Sequence, residues 1–441
     1  QWYFILSKVF FLVIDNLEVP HMCILQILIC KEMIYMNNKY IEKKKLQLEY
    51  KHLAILFTIS AIIQLYAPYQ SDSPMRNVTV NTLLVLLQYG IVMIAAILIW
   101  MHKTITLENV VFIIPCVIAT LFPIINSYIN SGFSGLLMLL LMISFLLLDS
   151  VDRYQTLVYF KNTWLIICVI GIFCFLSYLL SLPLPYRELN YYNMSLENLN
   201  VHQRYISYGI VFLHKQNTMI RLCGICNEPG LFGTISALLL CVDDLNFKNK
   251  ENWIILIASI LSTSVASVLI IAIYMMLKCR HDIKVFMLIV CGILLYIFFL
   301  PKVQTGNPAI DYMLQRLVLT DNGLAGNNRS NAILDSLLKQ TIQQKPIWGY
   351  GNGYAGTKTS GVSSYKMYIV NYGIFGFFIM YGALLLSAIF GNQKNKVGLC
   401  FIIVFFASIY QRPNVFNLYY MILLFGGIAY IKNNEEECQY D

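Results

Sequence analysis

The sequence predicts an all-α, polytopic transmembrane protein of about 12–14 spans with two long extracytoplasmic loops. Three observations predict it. Hydrophobic residues make up 58% of the 441 residues and charged residues only 12%, and the mean hydropathy of +0.64 lies well beyond a soluble average. Apolar blocks recur along nearly the whole chain, and helices are the spanning form that satisfies its own backbone in lipid. The net charge of +8 comes from Lys and Arg clustered in short connections between those blocks. It reports orientation and not affinity for nucleic acid.

Taken in order, the apolar blocks run roughly over 2–14, 21–36, 53–68, 82–101, 109–128, 134–148 and 163–184. After a long polar loop come 229–242, 252–277 and 284–300, and after a second loop 366–390, 397–410 and 417–431. The first two are poor spans, one short and one interrupted by Lys31 and Glu32, and are read as a hairpin or an interfacial pair. No cleavable signal peptide is evident, so the first run is expected to act as a signal anchor, with an initiator methionine expected ahead of Gln1. Residues 1–441 read as a single membrane domain.

Charge sets the orientation. Lys39, Lys43, Lys44, Lys45 and Lys51 mark a cytoplasmic loop, as do Lys103, Arg153 with Lys161, Lys278 with Arg280 and Lys284, and Lys394 with Lys396. Alternate short loops are poor in Lys and Arg, with only Arg76 in 70–81 and Arg412 in 411–416. Both termini are then cytoplasmic, and loops 185–228 and 301–365 lie outside. Two external loops need an even number of crossings between them, yet hydropathy shows three blocks. Block 252–277 is overlong and carries Ser259, Ser262, Thr263, Ser264 and Ser267 at its middle. It is therefore expected to be two short passes that turn near Ser262–Ser264, with 243–251 cytoplasmic.

The second external loop carries the denser pattern. Ile333, Leu334, Leu337, Leu338 and Ile342 fall on one face of a short amphipathic helix, with Ser330 or Asn331 as its N-cap. Arg329 would stand beside the positive end of that helix, an arrangement that suits a phosphate. Pro346 stops the helix, and Gly349, Gly351 and Gly353 let the backbone turn and approach a ligand. Trp348, Tyr350, Tyr354 and Tyr365 add aromatic faces and hydroxyls that suit a sugar. The first external loop ends in Arg221-Leu-Cys-Gly224, then Glu228-Pro-Gly230 at the start of an apolar helix. Pro229 fits the first helical turn. Glu228 has two readings there, a cap favoured by the helix dipole or a base. Among the twelve cysteines, Cys223 and Cys226 form a single CxxC, read as two reduced packing thiols.

Arg221-x-x-Gly224 with Glu228-Pro229-Gly230, then Arg329, the Gly349-Tyr350-Gly351 turn and Gly373-Ile-Phe-Gly376, resemble in order the two external loops of the O-antigen polymerase/ligase superfamily. The resemblance covers roughly residues 215–380. It implies a glycosyltransferase of the bacterial cytoplasmic membrane that uses an undecaprenyl-pyrophosphate-linked glycan and builds O-antigen, capsule or exopolysaccharide. It also implies membrane lipid, a chain-length regulator and a flippase as partners. Ligases of this superfamily carry a His before the helix holding the Gly373-x-x-Gly376 equivalent, and Ser360–Lys366 has none. That favours a Wzy-type repeat-unit polymerase, with an O-antigen ligase as the alternative and a glycan flippase or transporter behind it. On this reading Arg221 and Arg329 meet the leaving pyrophosphate, and Glu228 takes the proton of the attacking hydroxyl. Gly224 and the second-loop glycines and aromatics bind substrate. No metal and no cofactor are expected.

Overall fold

The computed structural model describes residues 51–69, 78–102, 107–126, 132–191, 203–216, 219–280, 330–359, 364–392 and 395–438, with isolated positions between 282 and 324. The predicted segments 2–14 and 21–36, most of 284–300, and Arg329 lie outside the described residues. The chain divides into two units, Gln1–His52 and Leu53–Asp441, and the second carries the fold.

Its elements are mostly helices. In order they are α1 (Lys51–Leu65), α2 (Val78–His102), α3 (Leu107–Ile125), α4 (Gly132–Leu146) and α5 (Ser150–Leu179). After a sheet come α6 (Pro229–Val242), α7 (Lys250–Leu261) and α8 (Val265–Lys278). Then follow α9 (Ala332–Gln344), the short α10 (Tyr354–Lys358), α11 (Tyr365–Asn392) and α12 (Lys396–Ser408). The last stretch is α13 (Leu418–Met421), a π-helical turn (Ile422–Gly426) and α14 (Gly427–Cys438).

Three of these, α2 over Val78–Ile99, α5 and α11, are long and apolar enough to cross a membrane. In α5 the helical period sends Leu157, Phe160, Trp164, Ile167 and Cys168 inward. Trp164 stacks on Phe160 and Phe232 and donates to Ser236 Oγ at 3.0 Å. The outward face of α5 is apolar as well, with Ile166, Val169, Ile170 and Phe173 exposed. A helix apolar all round suits lipid and not water.

The loop expected to be polar is folded. Strands β1 (Arg187–Tyr191), β2 (Gln203–Ser207), β3 (Phe212–Gln216) and β4 (Met219–Gly224) form an antiparallel sheet in sequence order. This corrects the all-α expectation. Tyr205, Phe212 and Cys223 face one way and bury with Ala67, against Tyr66 and Leu189. Leu213 and Leu222 are buried as well, so β3 and β4 are covered on both faces.

The break expected in 252–277 is present. Helix α7 ends at Leu261, Ser262–Ser264 turn, and the Ser264 side chain caps α8 by accepting from Ser267 N. Thr263 takes the left-handed conformation, φ 48°. The turn packs on Gly233 of α6, where a Cβ would stand 2.5 Å from that of Ser264. At the far ends, Lys161 pairs with Asp243, both buried, and Lys278 Nζ lies 2.7 Å from Asp244 Oδ2. The start of α7 and the end of α8 therefore return to the same end of α6.

Candidate functional site

Glu228 stands at the N-cap position of α6, but its side chain makes no cap hydrogen bond. No side-chain hydrogen bond serves the cap reading, though the carboxylate still stands beside the positive end of the helix. The carboxylate turns instead to Arg412, whose Nη2 lies 2.5 Å from Glu228 Oε2. Arg412 comes from the short loop 409–417 between α12 and α13, where the sequence marks it only as an orientation signal. Its side chain is 12% exposed, against 43% for Glu228. Burial is the largest influence and works against the charged guanidinium, but the Glu228 carboxylate together with Tyr420 and Tyr419 outweighs it, and the Arg412 pKa is raised. The signal that could have found it is a lone Arg before Pro413 in a connection otherwise empty of charge.

Arg221 is placed differently from the expectation. On β4 it is 8% exposed and faces the tip between α7 and α8. Its Nε donates to Thr263 Oγ1 at 2.7 Å and to Ser262 O at 3.1 Å, and Nη2 to Thr263 O at 3.3 Å. These carbonyls close the C-terminal end of α7, where the helix dipole favours a cation. Arg221 therefore braces a turn of this chain. Gly224 is also a packing position, since a Cβ there would stand 2.5 Å from the Phe232 ring. Cys223 and Cys226 are free thiols and buried, and burial pushes both thiols up.

The Gly-rich turn of the second loop approaches backbone closely, and that backbone is its own. Helix α11 is interrupted at Gly373, φ 71° and ψ 177°. Tyr350 N donates to Val370 O at 3.0 Å, Gly351 N to Asn371 O at 2.7 Å, and Ile374 N to Pro346 O at 2.7 Å. The turn supplies the partners that the broken helix lost. A Cβ on Gly349 would stand 2.5 Å from Gly373 N, and one on Gly373 would overlap the Ile347 carbonyl. Asn126 fastens the same turn, accepting from Asn352 N at 2.7 Å and donating to Trp348 O at 2.9 Å. Gly353 opens α10.

The aromatic faces are similarly engaged. Tyr350 and Tyr354 stack on each other at 4.5 Å. Lys345 lies 4.8 Å from the Tyr350 ring and Lys358 5.9 Å from that of Tyr354. Trp348 stacks on Phe122, and Tyr365 packs on Tyr410. Asn331, not Ser330, caps α9, accepting from Leu334 N at 2.8 Å. Ser330 instead donates to Asp335, and Lys366 Nζ lies 2.6 Å from the same carboxylate oxygen. Leu334 and Leu337 bury against Ala355 and Val370, while Ile333 and Ile342 of the predicted apolar face are exposed.

The loops meet through residues 409–417. Tyr381 Oη donates to Pro413 O at 2.5 Å, Tyr368 Oη to Asn414 Oδ1 at 3.3 Å, and Tyr372 Oη to Asn352 Oδ1 at 2.6 Å. A belt of tyrosines on α11 thus ties the Glu228–Arg412 pair to the Gly-rich turn. Among the described residues no cluster of His, Cys, Asp and Glu is placed to hold a metal. Comparison of the chain with family models, curated proteins and solved structures returns no match.

Proposed function

We propose that this chain is a glycosyltransferase that polymerises polyprenyl-pyrophosphate-linked oligosaccharide repeat units on the outer face of the bacterial cytoplasmic membrane. The observation that carries the reading is Glu228, a partly exposed acid at a helix start that makes no cap hydrogen bond and is held by a buried guanidinium.

The step is a displacement at the anomeric carbon of the donor sugar. An acceptor hydroxyl oxygen forms the new bond to that carbon, and its proton passes to Glu228. The bond from the anomeric carbon to the pyrophosphate oxygen breaks, and the electron pair leaves with the lipid pyrophosphate. Attack from the opposite face inverts the centre. Arg221 is occupied by the Ser262–Thr263 turn, so Arg329 is the predicted loop cation that remains for the leaving group. Lipid-linked oligosaccharide is the substrate, with a chain-length regulator and a flippase as partners.

The test is glycan length on the envelope of a deletion strain complemented with wild-type or Glu228→Gln protein. Polymerase loss leaves single repeat units attached, and Glu228→Gln should slow polymerisation by ~10²–10⁴-fold at matched protein level. Free polymer on its carrier in the deletion strain would make the chain a ligase. Absence of both products from the surface would make it a flippase.

A further inference from the structure

We propose that Arg412 is an oxyanion site for a pyrophosphate group, kept closed at rest by the Glu228 carboxylate. The inference deepens the polymerase reading and rests on it for the identity of the ligand. Three features of the pair carry it. First, the Arg412 guanidinium is held beside the start of α6, whose N-cap side chain makes no hydrogen bond to the first turn. Pro229 has no N–H, and Leu231 N and Phe232 N donate to Glu228 O, so an anion there would be held by the guanidinium fork with at most the Gly230 N–H beside it. Second, Arg412 Nε is buried and has no hydrogen-bond acceptor among the described residues. Burying an unsatisfied charged donor is costly, so the fork has binding capacity that one carboxylate does not use. Third, the two partners are unequally fixed, since the Glu228 side chain is 43% exposed and that of Arg412 12%. Loop 409–417 is moored to α11 through Pro413 and Asn414, so Arg412 is the fixed partner and Glu228 the more exposed one.

A pyrophosphate carries more negative charge than a carboxylate and offers more acceptor oxygens to the same fork. It displaces Glu228, and the released carboxylate then faces the water side, where the attacking hydroxyl arrives. Donor binding and release of the base become one event. Arg412 also supplies the second cation that Arg221, committed to the α7–α8 turn, does not provide.

The probe is inorganic pyrophosphate, with farnesyl pyrophosphate in parallel, titrated calorimetrically into the full chain in nanodiscs. Removing the competing charge in Glu228→Gln should tighten binding several-fold even as polymerisation is lost. Arg412→Lys keeps the charge but loses the fork, and should weaken binding roughly tenfold or more. Lys358→Gln, a surface cation elsewhere, should leave it unchanged. Unchanged or weaker binding by Glu228→Gln would overturn the gate, and that variant remains decisive if Arg412→Lys does not fold. Wild-type affinity in Arg412→Lys, or equal loss in Lys358→Gln, would overturn the site. Binding is read without any glycan, so normal glycan length in the deletion strain sinks the polymerase reading while leaving this result standing.

Discussion

At the scale of single residues, the glycines of the second loop have the sharpest consequence. Gly373 combines a positive φ of 71° with contact against the Pro346–Ile347 backbone, whereas a Cβ on Gly382, further along the same helix, meets nothing within 4 Å. Gly373→Ala should therefore cost at least ~1–3 kcal/mol in backbone strain alone, before the clash is counted. Gly382→Ala should be neutral or slightly stabilising through helix propensity. Thermal unfolding of the two variants in detergent checks this, and equal midpoints would refute the stitched break. The Gly-x-Gly-x-Gly turn is conspicuous in the sequence but its partner is not, because backbone approaching a ligand and backbone approaching backbone demand the same residue.

At the scale of elements, Arg221 and the α7–α8 turn make a matched pair. Arg221→Lys should lose about 1.5–3 kcal/mol of stability, the worth of hydrogen bonds to a charged group. A normal unfolding midpoint with polymer lost would return Arg221 to the leaving group. The dock of α9 on α11 carries a pH dependence. Hydrogen bonds from Lys366 and Ser330 hold the Asp335 pKa below its ordinary value of 3.8. The carboxylate is the form that folding favours, so its contribution is complete above that value and is lost as pH falls through the lower folded pKa. Hydrogen exchange of Ala332–Gln344 should accelerate on acidification below about pH 4, and Asp335→Asn should remove the step. The helices, and the break at Ser262–Ser264, are legible in the sequence because long apolar runs and the serines within one of them mark where helices run and turn. The sheet is not, since strands of five or six residues barely stand out in a polar loop. Nor is the role of Arg412, because one Arg in a short connection looks the same whether it faces lipid headgroups or an acid distant in sequence.

At the scale of the whole molecule, charge pairs gather at the two ends of α6. Lys161 meets Asp243 and Lys278 meets Asp244 at its C-terminal end, and Arg412 meets Glu228 at its start. Asn246 is exposed in the connection between α6 and α7. Placed as Cys in a variant lacking the native cysteines, it should resist an impermeant thiol reagent in intact cells and react after permeabilisation. Labelling in intact cells would reverse the assignment.

The repair of α11 by residues 346–351 also fixes an order of assembly. The turn lies upstream of the helix it mends, so a ribosome releases the splint before the fracture. When Val370–Ile374 emerges, its missing acceptors and donors are already made and near at hand, and closing so short a loop costs little entropy. The break can be sealed as it is made, without calling on the distant loop 409–417.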